Sequence, residues 1–374
     1  MGRDVGKIAA DILHGKDPAT IPIINVVPER LYVNQVALQT LKDPWRFPEA
    51  TIAKADLIID AQGVHQKTTQ AARAITKTWK LRMVQLNNAA EVEETEHGFR
   101  QGLLEEKLAE GRDYELKISN AQADMATLNS IMDAVLPEAD LIVSMSTPTL
   151  QVAMRKVDTK PVVFTYVSLA SAAGLGGSHE NHRANITGVE IMGPYVEMVQ
   201  LVHENFPSVR RIGTLYVPAE ANMVASMELL EGAAKKVGME VVAIPINSST
   251  DVADAALALT GRGIDAIIQV SGNITAVSFG AILQASNKTK IPVFAFTRPQ
   301  ALAGSVVSLS RDLEESGRMT ATMVARIMRG ENPKNIPIRL IDKTSLYVNL
   351  DAARVLNISV PPALTKRADQ VIGR

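Results

Sequence analysis

The sequence predicts an α/β protein: two doubly wound parallel-sheet lobes with a cleft between them, preceded by a partial repeat of the chain's own C-terminal end. Three observations lead there. From about Leu81 onward, short apolar runs alternate with helix-length amphipathic stretches, the pattern of a parallel sheet covered by helices. That alternation occurs twice, on either side of the glycine-rich stretch Gly174-Leu175-Gly176-Gly177. Finally, Gly2 set against Gly317 keeps register without a gap to Leu41 and Leu356. Identical pairs include Arg3/Arg318, Ile12/Ile327, Pro18/Pro333, Tyr32/Tyr347, Val33/Val348, Asn34/Asn349 and Ala37/Ala352, and the register resumes at Ala55-Asp56 against Ala368-Asp369. Composition alone does not produce a match of that length.

In the first series, Met83–Leu86 reads as a strand, 91–108 as a helix, Tyr114–Ile118 as a strand and Asp124–Val135 as a helix. Leu141–Met145 then reads as a strand, Thr147–Val157 as a helix and Pro161–Val167 as a strand. The second series places strands at Ile212–Val217, Glu240–Ile246, Ala266–Val270 and Val293–Phe296. Its helix Ala221–Val237 is followed by Gly238, a residue suited to a left-handed helix end, and Ser249-Thr250 can cap the next helix. The helix Leu313–Met328 ends at Gly330, two short strands follow, and a terminal helix is expected over Ala363–Ile372. This divides the chain into residues 1–60, equivalent to 316–374; a linker, 61–80; lobe 1, 81–190 with 300–340; lobe 2, 191–299; and a tail, 341–374, of undecided lobe.

With 374 residues, 46% hydrophobic content and 21% charge, the chain can bury a substantial core. A net charge of −1 with dispersed Lys and Arg argues against nucleic acid as a partner. The absence of cysteine excludes disulfides and thiol chemistry. No apolar run reaches membrane-spanning length, and Met1–Asp4 does not open a signal peptide. If residues 1–60 close an earlier copy, a signal sequence would precede that copy. No dinucleotide fingerprint, Walker loop, HExxH or Gly-x-Ser-x-Gly pattern occurs, and His179 and His182 lie in a polar loop. The reading is therefore not an enzyme, with no cofactor and no metal.

Open α/β sheets bind ligands beyond the carboxyl ends of their strands. The residues there are Asn87 and Asn88; Ser146, Thr147 and Thr149 at a helix start that suits a carboxylate or phosphate; Tyr166 and Ser168; Glu220 and Asn222; Asn273; and Thr297.

Residues 82–374 resemble the ABC-transporter substrate-binding proteins of the tryptophan/tyrosine-type family. The resemblance runs through Asn120–Asp124, Asp140–Val143, Ser146-Thr147-Pro148, Asn185–Val189, Arg211–Tyr216, Glu220-Ala221-Asn222, Ile291–Ala295, Gly317-Arg318 and Tyr347–Leu350. It implies a type I periplasmic-binding-protein fold and an extracytoplasmic, periplasmic setting. It also implies capture of a small organic ligand, amino-acid-like or another carboxylate, between closing lobes, with delivery to an ABC permease. By resemblance Ser146, Thr147 and Thr149 would hold a ligand carboxylate, and Asn88, Tyr166, Glu220 and Asn273 would line the rest. The family commonly has an acid before Asn273, where this chain has Gly272, and Ser-Asp after Phe294-Ala295, where it has Phe296-Thr297. The expectation is a ligand other than a simple α-amino acid, or an amine site relocated to Glu220. A ligand-sensing receptor or regulator of the same fold is the alternative.

Overall fold

The computed structural model describes residues 31–39, 47–48, 51–52, 55, 57–60, 63–66 and 75–373. Contacts divide the chain into a small first unit, Met1–Arg73, and a large second one, Ala74–Arg374.

In the second unit, one sheet is entirely parallel. It contains β1 (Trp79–Gln85), β2 (Tyr114–Asn120), β3 (Leu141–Met145), β4 (Val162–Val167), β5 (Ile186–Glu190) and, later in the chain, the short β11 (Arg339–Leu340), in the order β11-β5-β4-β3-β1-β2. Helices α1 (Ala90–Glu105), α2 (Met125–Val135) and α3 (Thr147–Lys156), with the single turn α4 (Ala170–Ala173), cover it. Separate apolar cores fill its two faces, one around Phe99, Leu103 and Met83, the other around Leu128, Ile142 and Phe164. The central strands β3 and β4 are apolar almost throughout because both of their faces are buried, whereas the edge strand β2 alternates polar and apolar residues.

The other sheet contains β6 (Arg211–Tyr216), β7 (Glu240–Pro245), β8 (Ala266–Ile268), β9 (Val293–Ala295), β10 (Val307–Arg311), β12 (Thr344–Asn349) and β13 (Gln370–Ile372), in the order β7-β6-β8-β9-β10-β12-β13. All neighbours are parallel except β10 and β12. Its helices are α5 (Tyr195–Asn205), α6 (Ala221–Lys236), α7 (Val252–Thr260), α8 (Asn273–Val277), α9 (Phe279–Thr289), α10 (Arg298–Ala303), α12 (Leu350–Leu356) and α13 (Pro362–Arg367). The remaining long helix, α11 (Leu313–Met328), returns to the first lobe and packs along α1.

Glycines make that helix pair possible. A Cβ on Gly317 would sit 2.1 Å from the Thr95 carbonyl oxygen, and one on Gly98 would sit 2.1 Å from that of Glu314. The two backbones therefore touch, and the Val92/Thr95/Phe99 stripe of α1 closes over the sheet beside them.

Several expectations change. Residues 300–340 do not all belong to lobe 1, because Val307–Arg311 pairs with β9 and β12 in the second sheet. The crossing comes only at Asp312, whose carboxylate caps α11 by accepting from the Glu315 amide at 2.9 Å. The tail joins lobe 2. Its expected terminal helix stops at Arg367, and Gln370–Ile372 forms a parallel strand against Tyr347–Asn349. The linker span already contains strand residues, Gly63–Gln66 and Trp79-Lys80. Ser248, rather than Ser249 or Thr250, supplies the capping box of the turn before α7. Gly238 follows α6 with φ +73°, as expected of its place.

In the first unit, strand Tyr32–Asn34 and helix Gln35–Gln39 lead to the parallel strand Leu57–Asp60, which turns into the antiparallel Gly63–Gln66. The pairing is Tyr32↔Leu57, Val33↔Ile58 and Asn34↔Ile59, and in the second unit Tyr347↔Gln370, Val348↔Val371 and Asn349↔Ile372. Asn34 Oδ1 accepts from the Ala37 amide at 3.0 Å, and Asn349 Oδ1 accepts from Ala352 at 2.8 Å. The Thr51 and Ile52 amides donate to the Pro48 carbonyl, as those of Leu364 and Thr365 do to Pro361. Residues 1–30 lie outside the described residues.

Candidate functional site

The carboxyl ends of strands from both sheets wall a cavity with about 510 Å³ of space free of protein atoms, part of it open to solvent. Lobe 1 contributes Thr147, Tyr166 and Ser168; lobe 2 contributes Asn222, Ser271, Gly272, Asn273, Phe296 and Thr297. Ile191, Gly193, Arg311 and Leu313 close it where the chain passes between the lobes. Six of the expected residues therefore meet on one wall or another: Thr147, Tyr166, Ser168, Asn222, Asn273 and Thr297.

The others fall differently. Ser146 caps α3 with φ +104°, a left-handed value costly for a residue with a Cβ, and its hydroxyl lies 2.9 Å from that of Thr149. Pro148 has no amide hydrogen, and the Thr149 amide points at Ser146 Oγ at 3.5 Å. Of the expected anion cradle, only Thr147 reaches the cavity, while Ser146 and Thr149 satisfy each other. Asn88 is exposed and away from the lining. Asn87 is buried and spans the lobes, with Nδ2 3.3 Å from Asn273 Oδ1.

Tyr166 occupies a bulge in β4, with φ +55°, and the register shifts there between Phe164 and Val167. The bulge directs an aromatic residue at the strand end to the cavity wall. Burial holds its phenol well above the ordinary range, and nearby Glu91 and Glu220 add to the effect, so it stays protonated. In lobe 2, Phe296 gives the cavity an apolar surface, with the Tyr195 ring packed against it at 4.3 Å.

Glu220 is 7% exposed, just behind the lining. Its Oε2 accepts from the Asn273 amide at 3.0 Å, from Asn273 Nδ2 at 2.9 Å and from Asn222 Nδ2 at 3.4 Å. Glu91, from the first turn of α1, is 3% exposed and accepts from the Thr297 hydroxyl at 2.9 Å, a bond between the lobes. Burial raises its pKa above the ordinary carboxylate value, opposed by its hydrogen bonds.

At the strand end before Asn273, a Cβ on Gly272 would lie 2.1 Å from Met223 Sδ. Thioether has taken the space a side chain would need. Sequence reasoning missed Glu91 and Arg311. Glu91 sits in an acidic helix start, Glu91-Val92-Glu93-Glu94, that gives no sign which carboxylate turns inward. The Arg311 Nε donates to the Met192 carbonyl at 3.1 Å and its Nη1 to Asp342 O and Thr344 Oγ1. Its Nη2 has no protein partner among the described residues.

Residues 82–372 match the family model for ABC transporter substrate binding proteins. The chain belongs to that family. A solved structure of a conserved domain protein from Vibrio cholerae is 31% identical with a TM-score of 0.76, covering 79% of this chain and all of the other. A domain from Streptococcus pneumoniae solved in complex with L-Trp has the same fold at 23% identity, TM-score 0.76 and the same coverage. The tyrosine-binding protein of Clostridioides difficile is 27% identical over 275 residues, 73% of this chain and 79% of its own length. Among the described residues, no helix is long and apolar enough to cross a membrane, and no group of three or more His, Asp or Glu is placed to hold a metal.

Proposed function

We propose that this substrate-binding protein captures an amino-acid-like ligand between its lobes outside the cytoplasm and hands it to an ABC permease. The observation that carries the reading is the cavity itself. It lies at strand ends of both sheets, with polar groups from each lobe and an aromatic ring from each, Tyr166 and Phe296. Contacts that exist only when the lobes meet, such as Asn87 to Asn273, make closure and binding mutually reinforcing. The tyrosine and tryptophan in the names of two relatives support an amino-acid ligand. Catalysis forms no part of this reading.

The test is thermal unfolding of the full chain against the amino acids and their deaminated acids. A ligand that binds the folded state alone raises the melting temperature, by about 2.7 kcal/mol of stabilisation at a hundred times its Kd. Silence across the whole panel overturns the reading.

The first unit we take to be a duplicate of the sheet-edge segment 346–373. The shared strand register and the paired asparagine caps support it.

A further inference from the structure

Two carboxylates approach the cavity from opposite lobes, and neither forms an ion pair among the described residues. Glu91 has a hydroxyl from Thr297, and Glu220 has three N–H donors, all ending on Oε2. Its Oε1 receives none. Beside it, Asn222 points Nδ2 at Glu220 and at the Ser271 carbonyl, both at 3.4 Å, which fixes the amide's orientation. That leaves Asn222 Oδ1 as a buried acceptor with no donor, on a residue 5% exposed that lines the cavity. Buried acceptors left without donors are uncommon and costly, and buried carboxylates ordinarily have a cation. The nearby cations do not pair with either acid among the described residues: Arg298 faces Glu94 at 3.5 Å, and Arg311 is held through Nε and Nη1 by Met192, Asp342 and Thr344 with only Nη2 left over. The missing partner must carry positive charge and several N–H bonds.

We infer that Glu91 and Glu220, one from each lobe, are the counter-charge for a protonated amine on the ligand, with Asn222 Oδ1 as the neutral acceptor beside them. An alkylammonium supplies the three donors this arrangement lacks. The position before Asn273 cannot serve this purpose, since Met223 fills the space at Gly272. Thr297, at the end of β9, instead turns a hydroxyl onto Glu91, so the acid that reads the amine arrives from lobe 1 only when the lobes are together. Closure thereby becomes part of amine recognition.

The inference rests on the amino-acid-like reading, and the experiment separates the two. Binding to the full chain is measured at pH 7.5 by calorimetry for each amino acid, for its decarboxylated amine and for its deaminated acid. The binding amino acid should lose roughly tenfold to hundredfold in affinity when its amine is removed, the usual range for hydrogen bonds to charged groups. Glu91→Gln and Glu220→Gln should each weaken that amino acid by about tenfold or more while changing the deaminated acid's affinity little. Thr297→Val, which leaves both carboxylates in place, should cost less than either. Unliganded melting temperatures of the variants check that they fold. Should an amino acid bind and both glutamine variants keep its affinity within about twofold, or should a deaminated acid bind as tightly as its parent, the inference fails and the capture reading stands. If no compound of any class binds, the capture reading fails and takes the inference with it.

Discussion

Glu94 shows how one side chain can tie stability to pH. It stands on α1 beside Glu91, faces Arg298 across the lobes at 3.5 Å, and has a buried Oε2 with no donor. Burial raises its pKa to about 7, Arg298 opposes that rise, and Glu314, Asp312 and Glu91 add to it. The folded state therefore holds a proton that the unfolded state has released above the ordinary value of 4.5. Stability from this group is fully present below 4.5 and is lost as pH climbs toward 7, because the native protein binds more protons in that window. Glu94→Gln should flatten the melting temperature between pH 5 and 7 relative to the parent and leave the variant more stable at pH 7.5. A parallel decline in both proteins would assign the pH dependence to other groups. Residue-scale signals also explain what the sequence revealed of the site. Thr147, Tyr166, Ser168, Asn222, Asn273 and Thr297 were legible because polar residues ending an apolar strand or opening the helix after it stand out. Glu91 and Arg311 were not, because an acid in a helix's first turn and an arginine at a strand end look like ordinary solvated charges.

At the scale of elements, the pair α1 and α11 carries the sharpest constraint. Adding one methyl group at Gly317 places it 2.1 Å from the Thr95 oxygen and 2.5 Å from the Phe99 nitrogen, and both obstacles are backbone. Gly317→Ala should destabilise by about 3 kcal/mol or more, at or beyond the usual cost of overpacking. For a chain of this size that is a fall in melting temperature of roughly 5 °C or more. Gly232, exposed on α6 with nothing within 4 Å of a built Cβ, is the control: Ala there should stabilise by about 0.5–1 kcal/mol. Equal effects at the two sites would show that the helices separate easily. The same scale explains the missed elements. Val307–Arg311 alternates serine with aliphatics, and its neighbour β9 is only three residues long, so periodicity gave no clear strand boundary. Gln370–Ile372 is also three residues long and exists through its parallel partner, a long-range contact that local propensity cannot reveal.

For the whole molecule, the chain's three passages between sheets decide what is separable. After β5, after β10 and after β11 it crosses from one lobe to the other, so neither lobe is a continuous segment and the two should unfold together. The first unit has no such interleaving. Its described strands pair among themselves, and the sheets of the second unit are complete without them. Removing residues 1–73 should therefore leave the main unfolding transition within about 1 °C, well under the few degrees that a loss of 1 kcal/mol would bring. Ligand-induced shifts of that transition should persist undiminished, because every residue lining the cavity lies beyond residue 140 and Glu91 beyond the cut. Calorimetric scans of the full and shortened chains, with and without a binding amino acid, make the comparison. A main transition that drops by several degrees, or a ligand shift that vanishes, would mean that the first unit supports the binding unit rather than merely preceding it.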